Sequence, residues 1–346
     1  MTSILVTGGA GYIGSHTCIQ LIKNGYDVCI LDSLVNSSEE VISNIRKIIS
    51  INNEKNCGNL FFKKGDLRDE KFLDKVFMEF KEKNRNFSSV IHFAGLKSPE
   101  ESFKEPLKYW TVNLGSTLSL LSSMNKFDCK TLVFSSSATI YDPNVKGRIK
   151  ENNPRKPINP YGETKLAIEK ILENLFISDT KKWKIANLRY FNPIGAHESG
   201  MIGENPINKP NNLFPLVLKV ARGENEYLSI FGNDWPTEDG TCIRDYIHVM
   251  DLADAHLAAL NFLSSNKPQI IAINIGTGNG TSVKEIIDQF MEINKVSIPY
   301  RYEKRRKGDS ASVVADNSRS LELLKWIPKR NISAMCADTW RWGENS

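Results

Sequence analysis

The segment Tyr161-Gly162-Glu163-Thr164-Lys165 puts a phenol and an ammonium four positions apart. On a helix those positions share a face, so the two side chains are neighbours. A free tyrosine, with a pKa near 10, is a poor base at neutral pH. A cation beside it favours the phenolate and lowers that pKa, which would make a general base for an alcohol proton. Upstream, the apolar run Thr131–Ser135 leads into Ser135-Ser136-Ser137-Ala138-Thr139. A hydroxyl at the carboxyl end of a central parallel strand faces the ligand crevice and can hydrogen-bond a reacting oxygen. Ser137 is the first candidate for that role and Thr139 the second.

A second constellation opens the chain. Residues 4–14 read I-L-V-T-G-G-A-G-Y-I-G, a strand pattern with Gly8, Gly11 and Gly14, and a helix pattern then runs from Tyr12 to Lys23. Gly8 permits a tight turn, Gly11 a close approach of backbone to a pyrophosphate, and Gly14 close packing of helix on strand. The helix N-terminus offers free N–H groups and partial positive charge to phosphates. Asp32 ends the second strand pattern, 18 residues after Gly14. Its carboxylate can accept both hydroxyls of an adenosine ribose and would repel a 2′-phosphate, so the dinucleotide expected is NAD. Asp66, in Gly65-Asp66-Leu67 after the third strand, lies where an adenine amino group could be met. The positive ring of NAD+ would join Lys165 in favouring the Tyr161 phenolate.

These side chains need a frame, and the first 190 residues supply its rhythm. Strand patterns at Ile4–Thr7, Asp27–Leu31, Leu60–Lys63, Val90–Phe93, Thr131–Ser135 and Ile185–Arg189 alternate with amphipathic stretches such as Phe72–Lys83 and Tyr161–Ile177. Repeated strand–helix units imply a Rossmann-type, doubly wound α/β fold: a parallel sheet covered on both faces by right-handed crossovers. Beyond Arg189 the rhythm breaks. Residues 191–215 read as loops. A helix (Leu213–Arg222), a strand (Leu228–Phe231), a polar loop (Asn233–Thr241), a helix (Val249–Leu263) and a strand (Ile270–Ile275) follow. The division expected is 1–190 for the dinucleotide and 191–346 mainly for the second ligand, in a smaller α/β domain. Segments near 233–276 have room to return to the first. The polar stretch Asn52–Asn59 reads as a surface insertion.

Composition narrows the classes. The 346 residues are 40% hydrophobic and 25% charged, an ordinary globular balance. No apolar run is long enough to span a bilayer. The chain enters a strand pattern at once, without a leader, and its six cysteines lack pair or metal spacing; both point to a reduced, cytoplasmic protein. The net charge of +5 is mild and spread out apart from Lys304-Arg305-Arg306-Lys307. That disfavours nucleic acid as a partner and suits a small polyanion held by a few cations. The five histidines are scattered with no i, i+4 pair, so no metal is expected.

The G-x-x-G-x-x-G spacing with Y-x-x-x-K resembles the extended short-chain dehydrogenases/reductases. Over about residues 2–342 the chain resembles the UDP-glucose 4-epimerase family, through TGGAGYIGSHT (7–17), LDSLVNS (31–37), GDLRD (65–69), IHFAGLK (91–97), SSSATIY (135–141), YGETK (161–165), LRYFNPIGAH (188–197), NNLFP (211–215), IFGNDWPTEDGTCIRDYIHVMDLADAH (230–256) and the GD at 308–309. The resemblance implies that Tyr12, Ile13, Asp32, Ser33, Leu34, Val35, Asn36, Ser37, Asp66, Leu67, Phe93, Ala94, Gly95, Leu96, Lys97, Asn113, Ser137, Tyr161, Lys165 and Phe191 contact NAD. It implies that Lys97, Ser137, Thr139, Tyr161, Asn192, Asn212, Leu213, Ser229, Ile230, Phe231, Arg244, Arg306, Asp309 and Val313 hold a UDP-sugar. Arg244 and Arg306 suit a diphosphate, and Asp309 a ribose or uracil donor.

The activity implied is epimerisation at sugar C4. Tyr161 takes the 4-hydroxyl proton, hydride leaves C4, the 4-keto sugar turns over within the site, and hydride returns to its other face. Residues 310–313 (Ser-Ala-Ser-Val) are small where the family borders the sugar, which leaves room for N-acetylated UDP-sugars. Tyr141-Asp142-Pro143 departs from the family in lacking a glycine after the tyrosine. Two other readings are a 4,6-dehydratase and a non-catalytic dinucleotide sensor. The first would place an Asp-Glu pair where Ser137 and Ala138 stand; the second would have lost Tyr161 and Lys165. By the same resemblance, stretches Phe103–Lys126 and Tyr161–Ile177 would form a homodimer interface.

Overall fold

The computed structural model describes residues 2–52, 56–207, 210, 212–306 and 308–346. Residues 53–55 of the polar stretch Asn52–Asn59, Asn211 of the NNLFP segment and Lys307 of the basic cluster lie outside them. Six strands open the chain: β1 (Ser3–Thr7), β2 (Asp27–Asp32), β3 (Leu60–Lys64), β4 (Phe87–His92), β5 (Thr131–Ser137) and β6 (Lys184–Tyr190). Four short ones follow: β7 (Asn192–Ile194), β8 (Leu228–Phe231), β9 (Ile243–Arg244) and β10 (Tyr246–His248); then comes β11 (Gln269–Ile275). The main sheet runs β11-β6-β5-β4-β1-β2-β3, all parallel. The chain winds outward in opposite directions from β1 and β4. Their carboxyl ends therefore open the crevice where such sheets bind ligands.

Alternation within each strand divides the core between two faces. In β1, Ile4 and Val6 join Ile19, Ile22, Leu252 and Leu260 on one face. Leu5 joins Leu31, Phe77, Phe80, Leu120 and Leu172 on the other. Each of these side chains is almost wholly buried, worth about 1.5–3 kcal/mol apiece against the unfolded chain. That rigidity fixes the strand ends from which the site residues hang.

The helices begin where local chemistry says they should. The Asp69 side chain accepts from the Phe72 N–H to start Glu70–Glu82, and Asn159 accepts from the Gly162 N–H to start Pro160–Ser178, with Pro160 in the first turn. The single stretch expected over Phe103–Lys126 is instead two helices, Pro99–Lys104 and Pro106–Lys126. Pro106 lacks the N–H a continuous helix needs and pushes Glu105 out of helical geometry, at φ −126° and ψ 50°.

A smaller layer packs beside the carboxyl ends of the main sheet. It adds β12 (Thr281–Ser282), β13 (Tyr300–Glu303) and β14 (Ser312–Val313). β8 pairs with β13, and β9 lies between β12 and β14. Phe214, Ile230, Ile287, Phe290 and Met335 form its core. Residues 191–215, expected as loops throughout, contain β7, which pairs in parallel with β10. The helix Val249–Ser265 packs against Tyr12–Lys23, and β11 joins β6 at the edge of the main sheet.

Candidate active site

The glycine loop is shaped for close approach. Gly8 has φ +71°, and a Cβ there would sit 2.6 Å from the Ala94 nitrogen; one on Gly14 would sit 2.4 Å from the Gly8 carbonyl oxygen. Gly11 caps the helix Tyr12–Lys23 with no side-chain hydrogen bond, and no acid occupies the first turn. The helix N-terminus is thus left to an anion. Asp32, 9% exposed, ends β2 and accepts from the Ala10 N–H (3.0 Å), the Leu34 N–H (2.9 Å) and the Ser37 hydroxyl (3.1 Å). These bonds aim the carboxylate across the crevice. The loop Ser33–Ser37 then turns outward, with Leu34 at φ 60° and Val35 exposed.

Asp66 is held by a fork from Arg68, at 2.6 Å to Nη2, which keeps its carboxyl below the usual range. Leu67 turns its side chain into the core, so only its backbone is available to a ligand. Asn113 is buried and spends its amide on the 93–97 loop. Its oxygen accepts from the Leu96 N–H (2.7 Å), and its nitrogen donates to the Leu96 carbonyl (3.1 Å) and the Thr164 hydroxyl (3.0 Å). Asn113 therefore shapes the loop of Phe93, Ala94, Gly95 and Leu96 and ties it to the helix of Tyr161.

Tyr161, Lys165 and Ser137 converge at the end of β5. The Lys165 ammonium donates to the Ser135 carbonyl at 2.6 Å and lies 4.8 Å from the Phe134 ring centre and 5.9 Å from that of Tyr161. Burial brings its pKa down to about 8, while the charge of Glu169 works the other way. The Ser137 hydroxyl accepts from the Thr139 hydroxyl (3.0 Å) and the Thr139 N–H (3.2 Å). Lys165 and the positive ring of NAD+ are expected to lower the Tyr161 pKa together; in the protein alone the balance runs the other way. Burial raises the pKa, and a hydrogen bond with Ser137 opposes the rise. Burial keeps the proton on the phenol in the protein alone.

Glu169 went unread in the sequence, although its i+4 spacing from Lys165 was a usable signal. Fully buried, it accepts from the Ser136 hydroxyl (2.6 Å) and from Arg189 (2.7 and 3.0 Å). The group braces β5 and β6 beneath the site.

Across the crevice stand the residues expected to hold the sugar nucleotide. Arg244, on β9, donates to the carbonyls of Ile243 and Ser310 (2.9 Å each) and lies 3.6 Å from Asp309. Arg306 stacks over Phe231, 4.4 Å from its centre, and lies 3.4 Å from Asp309. Ser229 and Phe231 flank Ile230 on β8, and the Ile230 side chain is in the core. Val313 pairs with Arg244 across β14 and β9 and packs on a cluster holding Phe191. Asn192 on β7 donates its N–H to the Asp245 carbonyl. Asn212 caps the helix Leu213–Ala221 without a side-chain bond to it. Its amide instead meets Glu204, as does Lys97. Glu204 was not singled out in the sequence, and no motif there marks it.

The sequence profile of the GDP-mannose 4,6 dehydratase family matches residues 5–339. The UDP-glucose 4-epimerase of Dictyostelium discoideum is 49% identical over 339 residues, 98% of this chain and 95% of that protein. A UDP-glucose 4-epimerase structure from Stenotrophomonas maltophila, with bound NAD and formylated UDP-arabinopyranose, aligns with a TM-score of 0.93 at 41% identity, covering 100% of this chain and 98% of that one. One from Bifidobacterium longum, in complex with NAD+ and UDP, aligns with a TM-score of 0.92 at 42% identity, covering 100% and 99%. At this identity over nearly its whole length, the chain belongs to the UDP-glucose 4-epimerase family.

Proposed function

We propose that this chain interconverts UDP-galactose and UDP-glucose by reversible oxidation at sugar C4, through a 4-keto sugar, with NAD as a resident cofactor. The observation that carries the reading is the convergence of Tyr161, Lys165 and Ser137 at the end of β5, two strands from the β1 end that carries the glycine loop. The residues present fit the cofactor. The cradle at Gly8 and Gly14 admits no Cβ, and Asp32 stands ready for a ribose at the end of β2. When bound, NAD supplies the hydride acceptor and donor.

The protein's own groups do the rest. Tyr161 holds the proton of the 4-hydroxyl and returns it when the alcohol is restored on the other face. With a pKa near 8, Lys165 is cationic at neutral pH and favours the phenolate that burial alone resists. Ser137 hydrogen-bonds the same oxygen. Arg244 and Arg306 hold the diphosphate while the sugar turns over.

Three finer readings go with this. The small side chains at 310–313 leave room for UDP-GlcNAc and UDP-GalNAc. Residues 1–190, with β11, form the dinucleotide domain, and most of 191–346 forms the UDP-sugar domain. The third reading is a cytoplasmic homodimer. Leu107, Trp110 and Leu118 on the helix Pro106–Lys126 and Phe103 on the short helix before it are exposed, and Ile177 is exposed at the end of the neighbouring helix Pro160–Ser178. A second copy would cover these side chains. The six free cysteines suit a reducing compartment. Among the described residues no helix is long and apolar enough to cross a membrane.

The test is direct. Purified protein incubated with UDP-galactose yields UDP-glucose by anion-exchange chromatography; a 4-keto-6-deoxy product or no product overturns the reading.

A further inference from the structure

We propose that Glu204 is a positioning residue for UDP-sugar binding, anchoring one ligand-facing donor from each side of the crevice. The inference rests on the UDP-sugar reading of the site and adds a carboxylate to it. Glu204 lies on the loop between β7 and the helix Leu213–Ala221, with its side chain only 10% exposed. One carboxylate oxygen, Oε1, accepts from the Lys97 ammonium at 2.7 Å and from the Asn212 amide at 2.6 Å. Lys97 follows β4 on the cofactor side; Asn212 begins a helix on the sugar side. Glu204 therefore joins the two walls through side-chain bonds.

The arithmetic of donors makes it an anchor rather than a competitor. An ammonium has three N–H groups and a carboxamide two. Glu204 uses one of each, and the Lys97 side chain is still 49% exposed. Both residues keep donors for a ligand while being held in place. Burying a carboxylate this deeply costs several kcal/mol unless it is paired, and here it is. The same loop is fixed at its start, where the Tyr12 hydroxyl donates to the Gly195 carbonyl at 2.6 Å. Tyr12 opens the helix of the glycine loop. Between Gly195 and Glu204 the Asn44 amide, on the helix Glu39–Asn52, donates to the Met201 carbonyl at 3.1 Å, so the loop is tied to the cofactor side at Gly195, Met201 and Glu204.

Holding long side chains in the bound geometry before the ligand arrives saves their ordering cost, which is read as affinity. The experiment uses the NAD-loaded protein with Glu204→Gln, Glu204→Ala, Lys97→Met and the Lys97→Met/Glu204→Ala pair. It measures kcat and KM for UDP-galactose, UDP-glucose affinity by calorimetry, and NAD content. Glu204→Ala raises KM and the UDP-glucose Kd about tenfold. Under the same substitution kcat stays within about threefold and NAD content is unchanged, with Glu204→Gln in between. Adding Glu204→Ala to Lys97→Met costs less than it does alone, the signature of a shared contact. KM and Kd within about twofold of the parent in both Glu204 variants overturn the proposal, as does a fall in kcat at unchanged KM. If the Ala variant does not fold, the Gln variant decides. A parent that binds UDP-glucose without turning it over sinks the epimerase reading, while the Kd shift still judges Glu204.

Discussion

On the cofactor side of the crevice, Asp32 and Lys165 are buried and bonded to backbone before any ligand arrives. Asp32 accepts from the N–H groups of Ala10 and Leu34, and the Lys165 ammonium donates to the Ser135 carbonyl. On the sugar side, the two arginines pair with a carboxylate, although Arg244 also donates to two backbone carbonyls. Arg244 and Arg306 share Asp309 at 3.6 and 3.4 Å, and Arg306 is about half exposed. The contrast separates two tasks. Buried, backbone-held groups set geometry and charge for chemistry, so losing one costs rate. Surface pairs exchange a weak protein partner for a phosphate, so losing one costs affinity.

Four measurements probe these groups, beginning with the fold that holds them. The largest effect expected is acid loss of stability. Burial lowers the pKa of His16 and His92 to about 3 and of His197 and His256 to about 4. The unfolded chain takes up these protons near pH 6.5 and the folded one does not. Stability from these four is full above pH 6.5 and falls as pH drops toward 4, by up to about 5 kcal/mol per pH unit. Urea unfolding at pH 7.5 and 5.5 checks it, and equal midpoints would contradict it. Next, Tyr161→Phe lowers kcat about a thousandfold while NAD content holds; near-normal turnover would remove Tyr161 as the base. Third, Arg244→Met raises KM for UDP-galactose about tenfold to a hundredfold with little change in kcat. A loss in kcat alone would erase the division between the two sides. Smallest, Val313→Tyr lowers kcat/KM for UDP-GalNAc about tenfold relative to UDP-galactose, and parallel assays of the parent and variant decide it.

The same contrast explains what was legible in the sequence. β1, β2 and the helix Tyr12–Lys23 were readable almost to the residue, because alternation, a glycine turn and a helix period are local signals. β7, β9 and β14 are two or three residues long. They exist only because a distant segment pairs with them, so nothing local announces them. The break at Pro106 is locally encoded, but the stretch Phe103–Lys126 came whole from the resemblance, which does not register the proline. Tyr161 was found by spacing, but spacing says nothing about the burial that raises its pKa in the protein alone. Glu204 was unreadable because its meaning comes from Lys97, more than a hundred positions upstream.

The most direct test of the central claim follows the C4 hydrogen itself. UDP-galactose carrying deuterium at C4, converted by the purified protein in ordinary water, is expected to give UDP-glucose that keeps the label at C4, read by proton NMR and mass spectrometry. Washout of that deuterium into solvent would mean the C4 hydrogen leaves as a proton, and would contradict oxidation and reduction at C4 within one closed site.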